Sequence, residues 1–211
     1  MDELFNMLFR FGHILVGITW IGLLYYFNFV QTEYFKEAEE DARKDAVAKL
    51  APRALWWFRW AAFLTFLTGL ALLHYISVKI TLEIILGAVM GTLMMLNVWG
   101  IIWPNQKIVI GLKEGDAATA GPKAALASRT NTLFSVGMLY FMVASAHYPA
   151  SGQILGANLE MTGLLVGLAV IFAIEANAIW GKMLPAITSV RSVIVSSFVL
   201  CIALSSVAYY L

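Results

Sequence analysis

Charge and cysteine are what this chain is short of. Only 13% of its 211 residues are Asp, Glu, Lys or Arg, and the formal net charge is +1; a soluble domain carries roughly 25% charged residues. A nearly neutral chain has no basic field with which to hold nucleic acid. The single cysteine, Cys201, lies in an apolar run. One thiol excludes an internal disulfide framework, a CxxC redox pair and a thiolate metal cluster. The opening MDELFNMLFR has neither the basic start nor the small-residue cleavage site of a secretory signal, so the first apolar segment is expected to stay as a helix. There is no internal repeat.

Apolar residues fill the space that charge leaves. They make up 61% of the chain, with seven Trp, thirteen Phe and eight Tyr, and the mean hydropathy is +0.79. That composition belongs to an integral membrane protein. A membrane-spanning helix needs about 20 mostly apolar residues, and six segments qualify: 5–30, 56–78, 80–103, 130–148, 160–180 and 191–211. The expected fold is all-α, a polytopic bundle of six transmembrane helices forming a single domain over 1–211. A short turn around Ser77–Ile80 makes the second and third spans an antiparallel hairpin.

Lys and Arg in the connections set the orientation, because cytoplasmic loops retain them. Lys36, Arg43, Lys44, Lys49, Arg53 and Arg59 lie in or beside the first connection. Lys107, Lys113, Lys123 and Arg129 lie in the third, and Lys182 and Arg191 in the fifth; Arg10 and Lys79 are alone on the opposite side. Both termini are therefore expected outside. The first connection, TEYFKEAEEDARKDAVAKLAP, is rich in helix formers of mixed charge and reads as an amphipathic helix along the cytoplasmic surface, closed by Pro52. The third, KEGDAATAGPKAALAS, is rich in small residues and reads as flexible.

With that orientation all three histidines fall in the outer half. His13 lies inside the first span, and His74 and His147 close the second and fourth. An ionisable residue inside the membrane is expensive and functional by default. Neutral imidazole is the usual axial ligand of membrane haem b and also suits copper or zinc. Gly17, one turn beyond His13, leaves room for a flat macrocycle, Trp20 follows on the same face, and Tyr140 precedes His147 by two turns. His13, His74 and His147 are thus the candidate iron ligands, with Trp20 lining the group. A three-histidine metal site, with Glu83 as a nearby oxygen, stands beside the haem reading. A two-haem arrangement needs four histidines, so at most one haem is expected.

A second polar group collects at the inner end: Arg59, Asn97, Arg129, Asn131, Glu175 and Asn177. Together they are expected to line a pocket open to the cytoplasm. Glu83, Gly87, Met90, Met94 and Asn97 share one face of the third span. Gly87/Gly91 and Gly163/Gly167 are GxxxG pairs, which let helices pack closely.

Three stretches taken together, LFRFGHILVGITWIGLLYYFNFVQ, NVWGIIWPNQKIVIG and RTNTLFSVGMLYFMVASAH, resemble the membrane (N-terminal) domain of the bacterial urate oxidase, or urate hydroxylase, family. More distantly, the spacing of His13 and Trp20 is similar to that in the small haem-binding membrane protoporphyrinogen oxidases. The first resemblance implies oxidation of urate to 5-hydroxyisourate in the bacterial inner membrane, with electrons leaving through cytochrome c. In that family a cytochrome c domain follows the last span. This chain has no CxxCH haem-attachment motif, so a separate c-type cytochrome is the expected acceptor. Urate is a planar, mostly monoanionic purine. Arg59 or Arg129 can give it bidentate hydrogen bonds, Asn97 and Asn131 can read its amide edges, and Glu175 can accept a proton. Two other classes stay open: a non-catalytic haem-binding or structural subunit of a larger respiratory or photosynthetic membrane complex, and a transporter or metal-handling protein that uses the outer histidines.

Overall fold

The computed structural model describes residues 2–211, apart from the side chain of Val78. The chain is helical in order: α1 Asp2–Tyr25, α2 Thr32–Glu37, α3 Glu40–Asp45, α4 Ala51–Tyr75, α5 Leu82–Asn97, α6 Trp103–Val109, α7 Ala117–His147, α8 Met161–Trp180, α9 Pro185–Thr188 and α10 Val190–Tyr210. Among the described residues the only β pairing is one isolated bridge, Thr81 to Ile154.

Several of these helices are continuous. Wider π turns at Tyr26–Gln31, Ala46–Leu50 and Val98–Ile102 join α1 to α2, α3 to α4 and α5 to α6. Pro52 and Pro104 follow two of these turns directly. A proline has no N–H to donate, so the ladder slips by one residue and the helix continues. Pro52 therefore does not close a surface helix. The first connection is helical, but as extensions of two membrane helices, Asp2–Glu37 and Glu40–Tyr75, which meet at a corner where Ala38 and Glu39 are extended. At 1.5 Å per residue each spans about 54 Å, far beyond a hydrocarbon core of about 30 Å. The charged ends of these helices, with the ion pairs Lys36–Glu33, Lys44–Glu40 and Lys49–Asp45, stand at one end of the bundle.

Five helices are long and apolar enough to cross a membrane: Asp2–Glu37, Glu40–Tyr75, Leu82–Val109, Met161–Trp180 and Val190–Tyr210. The sixth expected span, 130–148, falls within α7, which is the most polar of the long helices because it is the middle of the bundle. It packs against α5, α10, α6, α8 and α1. Arg129, Thr130, Asn131, Thr132 and Ser135 are buried along it. Neighbouring helices take up those groups: Asn28 Nδ2 donates to Ser128 Oγ at 2.8 Å, Tyr25 and Ser135 hydroxyls pair at 2.9 Å, and the Ser197 hydroxyl is shared between the Val193 carbonyl of its own helix at 2.7 Å and the Thr132 carbonyl at 3.0 Å.

The small-residue connection before this span is ordered as the first turns of α7, capped by Asp116, whose side chain accepts from Ala118 N–H. Ala120, Ala124 and Ala127 are buried there because small side chains let α6 lie close; a Cβ on Gly121 would meet Val109 at 3.9 Å.

The glycine pairs act as packing surfaces. A Cβ on Gly87 would press on Phe141 at 3.2 Å and on the Met142 amide at 3.4 Å, bringing α5 against α7. Gly163 faces the end of α10, and Gly167 faces Leu86. One end of the bundle holds the Phe9–Tyr75 contact, the turn Ser77–Lys79, the loop 148–160 and the C-terminus. That loop folds back on α5: Leu82 N–H donates to Gln153 O at 3.1 Å and Leu155 N–H to Ile80 O at 2.8 Å. Gly152, at φ +63°, makes the turn that permits this. The lysine- and arginine-rich connections gather at the other, basic end.

Candidate functional site

At the basic end, three expected residues meet. Asn97 closes α5, Asn131 lies on α7 and Glu175 near the end of α8, all buried. Asn97 Nδ2 donates to Asn131 Oδ1 at 2.9 Å and to Glu175 Oε2 at 3.1 Å, and Asn131 Nδ2 donates to the Met94 carbonyl at 2.8 Å. Both N–H groups of the Asn97 amide are used, so three helices are tied at one point. Inside a low-dielectric bundle such a network is strong when complete.

The remaining members of the expected pocket lie elsewhere. Asn131 and Arg129 are two residues apart on α7, about 200° around the helix, so Arg129 faces a different neighbour from the amide network. Arg129 is 6% exposed, and its Nη1 is buried with no hydrogen-bond partner. Arg59 stacks its guanidinium on Trp103 at 3.9 Å, and its carbonyl accepts from Trp99 Nε1 at 3.0 Å. Trp56, Trp57 and Trp60 continue this aromatic group, the composition of a membrane-interface belt. Asn177 caps α8 instead: its side chain exchanges hydrogen bonds with the Lys182 backbone at 3.2 and 3.4 Å.

At the terminal end His13 is half-buried between α1 and α4. Its Nδ1 lies 3.0 Å from Thr68 Oγ1. The Thr68 hydroxyl also lies 2.7 Å from the Leu64 carbonyl and 3.0 Å from the Thr65 carbonyl; with its hydrogen on either, the tautomer that fits has Nδ1–H towards Thr68 and a free lone pair on Nε2. Gly69 gives the ring its place, since a Cβ there would sit 3.2 Å from His13 Cε1. Gly17 faces only Thr65, at 3.9 Å. Trp20, on the same face of α1 as His13, is 2% exposed, and its Nε1 has no acceptor. His74 and His147 are exposed near the ends of α4 and α7. Among the described residues no three His, Cys, Asp or Glu side chains gather as a metal-holding group.

Sequence reasoning missed the polar contacts of α7 with α1 and α10, Asn28–Ser128, Tyr25–Ser135 and Ser197–Thr132. Their only signal was a run of hydroxyl and amide residues in an otherwise apolar chain.

Residues 76–205, more than half of the chain, match the family described as urate oxidase N-terminal. The chain belongs to that family. Comparisons with curated proteins and with solved structures gave no match. The matched region of this urate oxidase N-terminal family member runs from the α4–α5 turn to α10 and contains Asn97, Arg129, Asn131, His147 and Glu175; His13, Trp20, Arg59 and His74 lie before it. For the haem expected from sequence, the fit rests on His13. A metal-binding imidazole normally gives its other nitrogen to a fixed acceptor, and the Thr68 contact supplies one. The bare Trp20 N–H adds a donor on the same helix face.

Proposed function

We propose that this protein is the membrane redox module of a urate-oxidase-type reaction in the bacterial inner membrane. In this reading it oxidises urate or a similar small planar anion and delivers the electrons to a separate c-type cytochrome. The positive-inside rule supports placing the basic end in the cytoplasm, with α7 as a sixth span and both termini outside. The Arg129 guanidinium carries the reading. It is buried in the bundle with an N–H that no protein acceptor meets. A buried guanidinium N–H with no acceptor carries a desolvation cost, and an anionic ligand offsets that cost.

A purine anion presents carbonyl oxygens in a plane that suits the guanidinium fork. Asn131 holds Asn97 in place, and Asn97 orients Glu175; Glu175 is kept as the proton acceptor the sequence suggested, on another side of α7 from Arg129. His13 would hold haem b through Nε2, with Thr68 fixing the ring and Trp20 beside it; His74 and His147 remain the candidates for a second ligand. When bound, the haem would supply a one-electron carrier between substrate and acceptor.

The test is the anaerobic absorption spectrum of purified, haem-replete protein before and after urate. A Soret band that urate reduces in the native protein but not in Arg129→Gln, with haem content equal in both, supports the assignment. A band that responds to dithionite and ignores urate favours a haem subunit of a larger complex. No Soret band at all sinks the haem reading.

A further inference from the structure

The other end of the α5–α7 seam carries a second buried carboxyl that the proposed reaction does not use. Glu83 stands in the first turn of α5, just after the Thr81 cap, and is 3% exposed. Its Oε1 accepts the Ser151 N–H at 2.9 Å, whereas its Oε2 is buried with no partner. Glu83 borders a small cavity of about 20 Å³. Tyr140 of α7, Tyr148 and Ser151 of the loop, and Ser205 and Tyr209 of α10 share its lining. That volume suits one water, which needs about 10–15 Å³ and two to four polar partners. The Ser205 hydroxyl hydrogen is committed to the Cys201 carbonyl at 2.7 Å, so its oxygen is left to accept.

We propose that Glu83 and one water in this cavity form a proton-exchange site opening at the terminal end of the bundle. The chemistry follows from the bare oxygen. As a carboxylate, Oε2 needs a donor; as a carboxylic acid, it carries a proton that needs an acceptor. A single water serves both states by turning. The exchange balances as carboxylate plus hydronium giving carboxylic acid plus water, with the proton taken from and returned to the aqueous phase. Tyr148 and Tyr209, 70% and 54% exposed, form the mouth. Besides Glu83 the lining is three tyrosines, two serines, Phe141 and three alanines, and no Lys, Arg, His, Asp or other Glu lines the cavity. No fixed charge therefore locks the carboxyl in one state. This site stands apart from the Arg129 and His13 assignments and survives their failure.

Infrared difference spectroscopy on the full chain in lipid vesicles tests it, read as the carboxylic-acid carbonyl stretch against bulk pH in H2O and D2O. The expected result is a band that appears reversibly as pH falls and shifts promptly in D2O. Because the chain has thirteen acidic side chains, the Glu83 component is read as the native-minus-Glu83→Gln difference, and it is kept in Glu175→Gln. Ser205→Ala, which alters a cavity hydroxyl and leaves the carboxyl intact, shifts the band position. A native-minus-Glu83→Gln difference with no carboxylic-acid band, a Glu83 band that ignores pH and deuterium, or the same band position in Ser205→Ala and wild type overturns the proposal. So does the absence of any pH-dependent carboxyl band in the native protein, whether or not the Glu83→Gln variant folds.

Discussion

Single side chains at the two ends of this bundle differ in what their hydrogen bonds leave over. Asn97 spends both its N–H groups on acceptors in other helices. Replacing it with Leu strips the donors from Asn131 Oδ1 and Glu175 Oε2 while keeping the volume. Each buried group left unmet costs about 1–3 kcal/mol, so Asn97→Leu should lower unfolding stability in detergent by roughly 3 kcal/mol. Asn177→Leu, which removes only an exposed cap, should cost a small part of that. If the two variants melt together, the network is not the tie described here. His13, in contrast, leaves one nitrogen over. His13→Ala should lose haem with the helix still inserted, and Thr68→Val, which frees Nδ1 alone, should weaken haem binding about 10–100-fold, the usual effect of removing a metal ligand's outer partner. Haem titration of the apoprotein checks both, and unchanged haem content in His13→Ala refutes the ligand assignment.

Helices in this protein are positioned by glycine where they touch and by polar pairs where they cross the core. Gly87 has no room for a side chain: an added Cβ meets Phe141 at 3.2 Å and α7 backbone at 3.4 Å. Gly12 on α1 has nothing within 4 Å. Gly87→Ala should destabilise the fold, whereas Gly12→Ala should be neutral or stabilise it by up to about 1 kcal/mol through helix propensity; thermal melts of the pair in one detergent read the contrast directly. The start of α7 depends on an acid instead. The Thr119 hydroxyl and the Ala118 N–H hold the Asp116 carboxyl below its ordinary range, so the cap contributes above the unfolded carboxyl value and is lost as pH falls through the lower, folded one. Amide protection factors at Ala118 and Thr119, corrected for the intrinsic slowing of exchange in acid, should therefore fall at acid pH in the native protein and be low at all pH in Asp116→Ala.

Much of this element structure was legible in the sequence. Twenty-residue apolar runs and a two-sided glycine spacing carry their own physical meaning, and the segments that resemble the family mark it. The small-residue stretch before Arg129 was not legible as helix, because Ala and Gly spacing signals close packing only once the partner, α6, is known. Nor did Pro52 read as continuous helix, since widening a turn to absorb a missing N–H depends on the whole helix that follows. Of the candidate site, Asn97, Asn131 and Glu175 shared a helix end and did meet. Arg129 shared that end too, but a turn of about 200° separates it from Asn131, a difference that counting residues from the membrane surface does not register.

The whole molecule is a bundle whose most polar long helix is its centre. That arrangement bears on how it sits in lipid. Five helices qualify as spans by apolar composition, and an odd number would put the two termini on opposite sides. Yet the Phe9–Tyr75 contact and the approach of Gly163 to Leu211 put the N-terminal part of α1 and the C-terminus at one end. The two statements agree when α7 also crosses, shielded from lipid by α5, α10 and α8, so that its buried hydroxyls and amides meet protein rather than hydrocarbon. The proposed six crossings, with the basic connections in the cytoplasm, imply a definite accessibility pattern. In a Cys201→Ser background, single cysteines at Lys44 and Lys113 should react with a membrane-impermeant maleimide only after the cells are opened. A cysteine at Tyr148, 70% exposed at the opposite end, should react in cells whose inner membrane is intact. Labelling of Lys44→Cys and Tyr148→Cys from the same side would mean that α4 to α7 do not cross as drawn. Reversed labelling of all three would keep the bundle but turn it over, and it would move the Glu83 cavity to the cytoplasmic side.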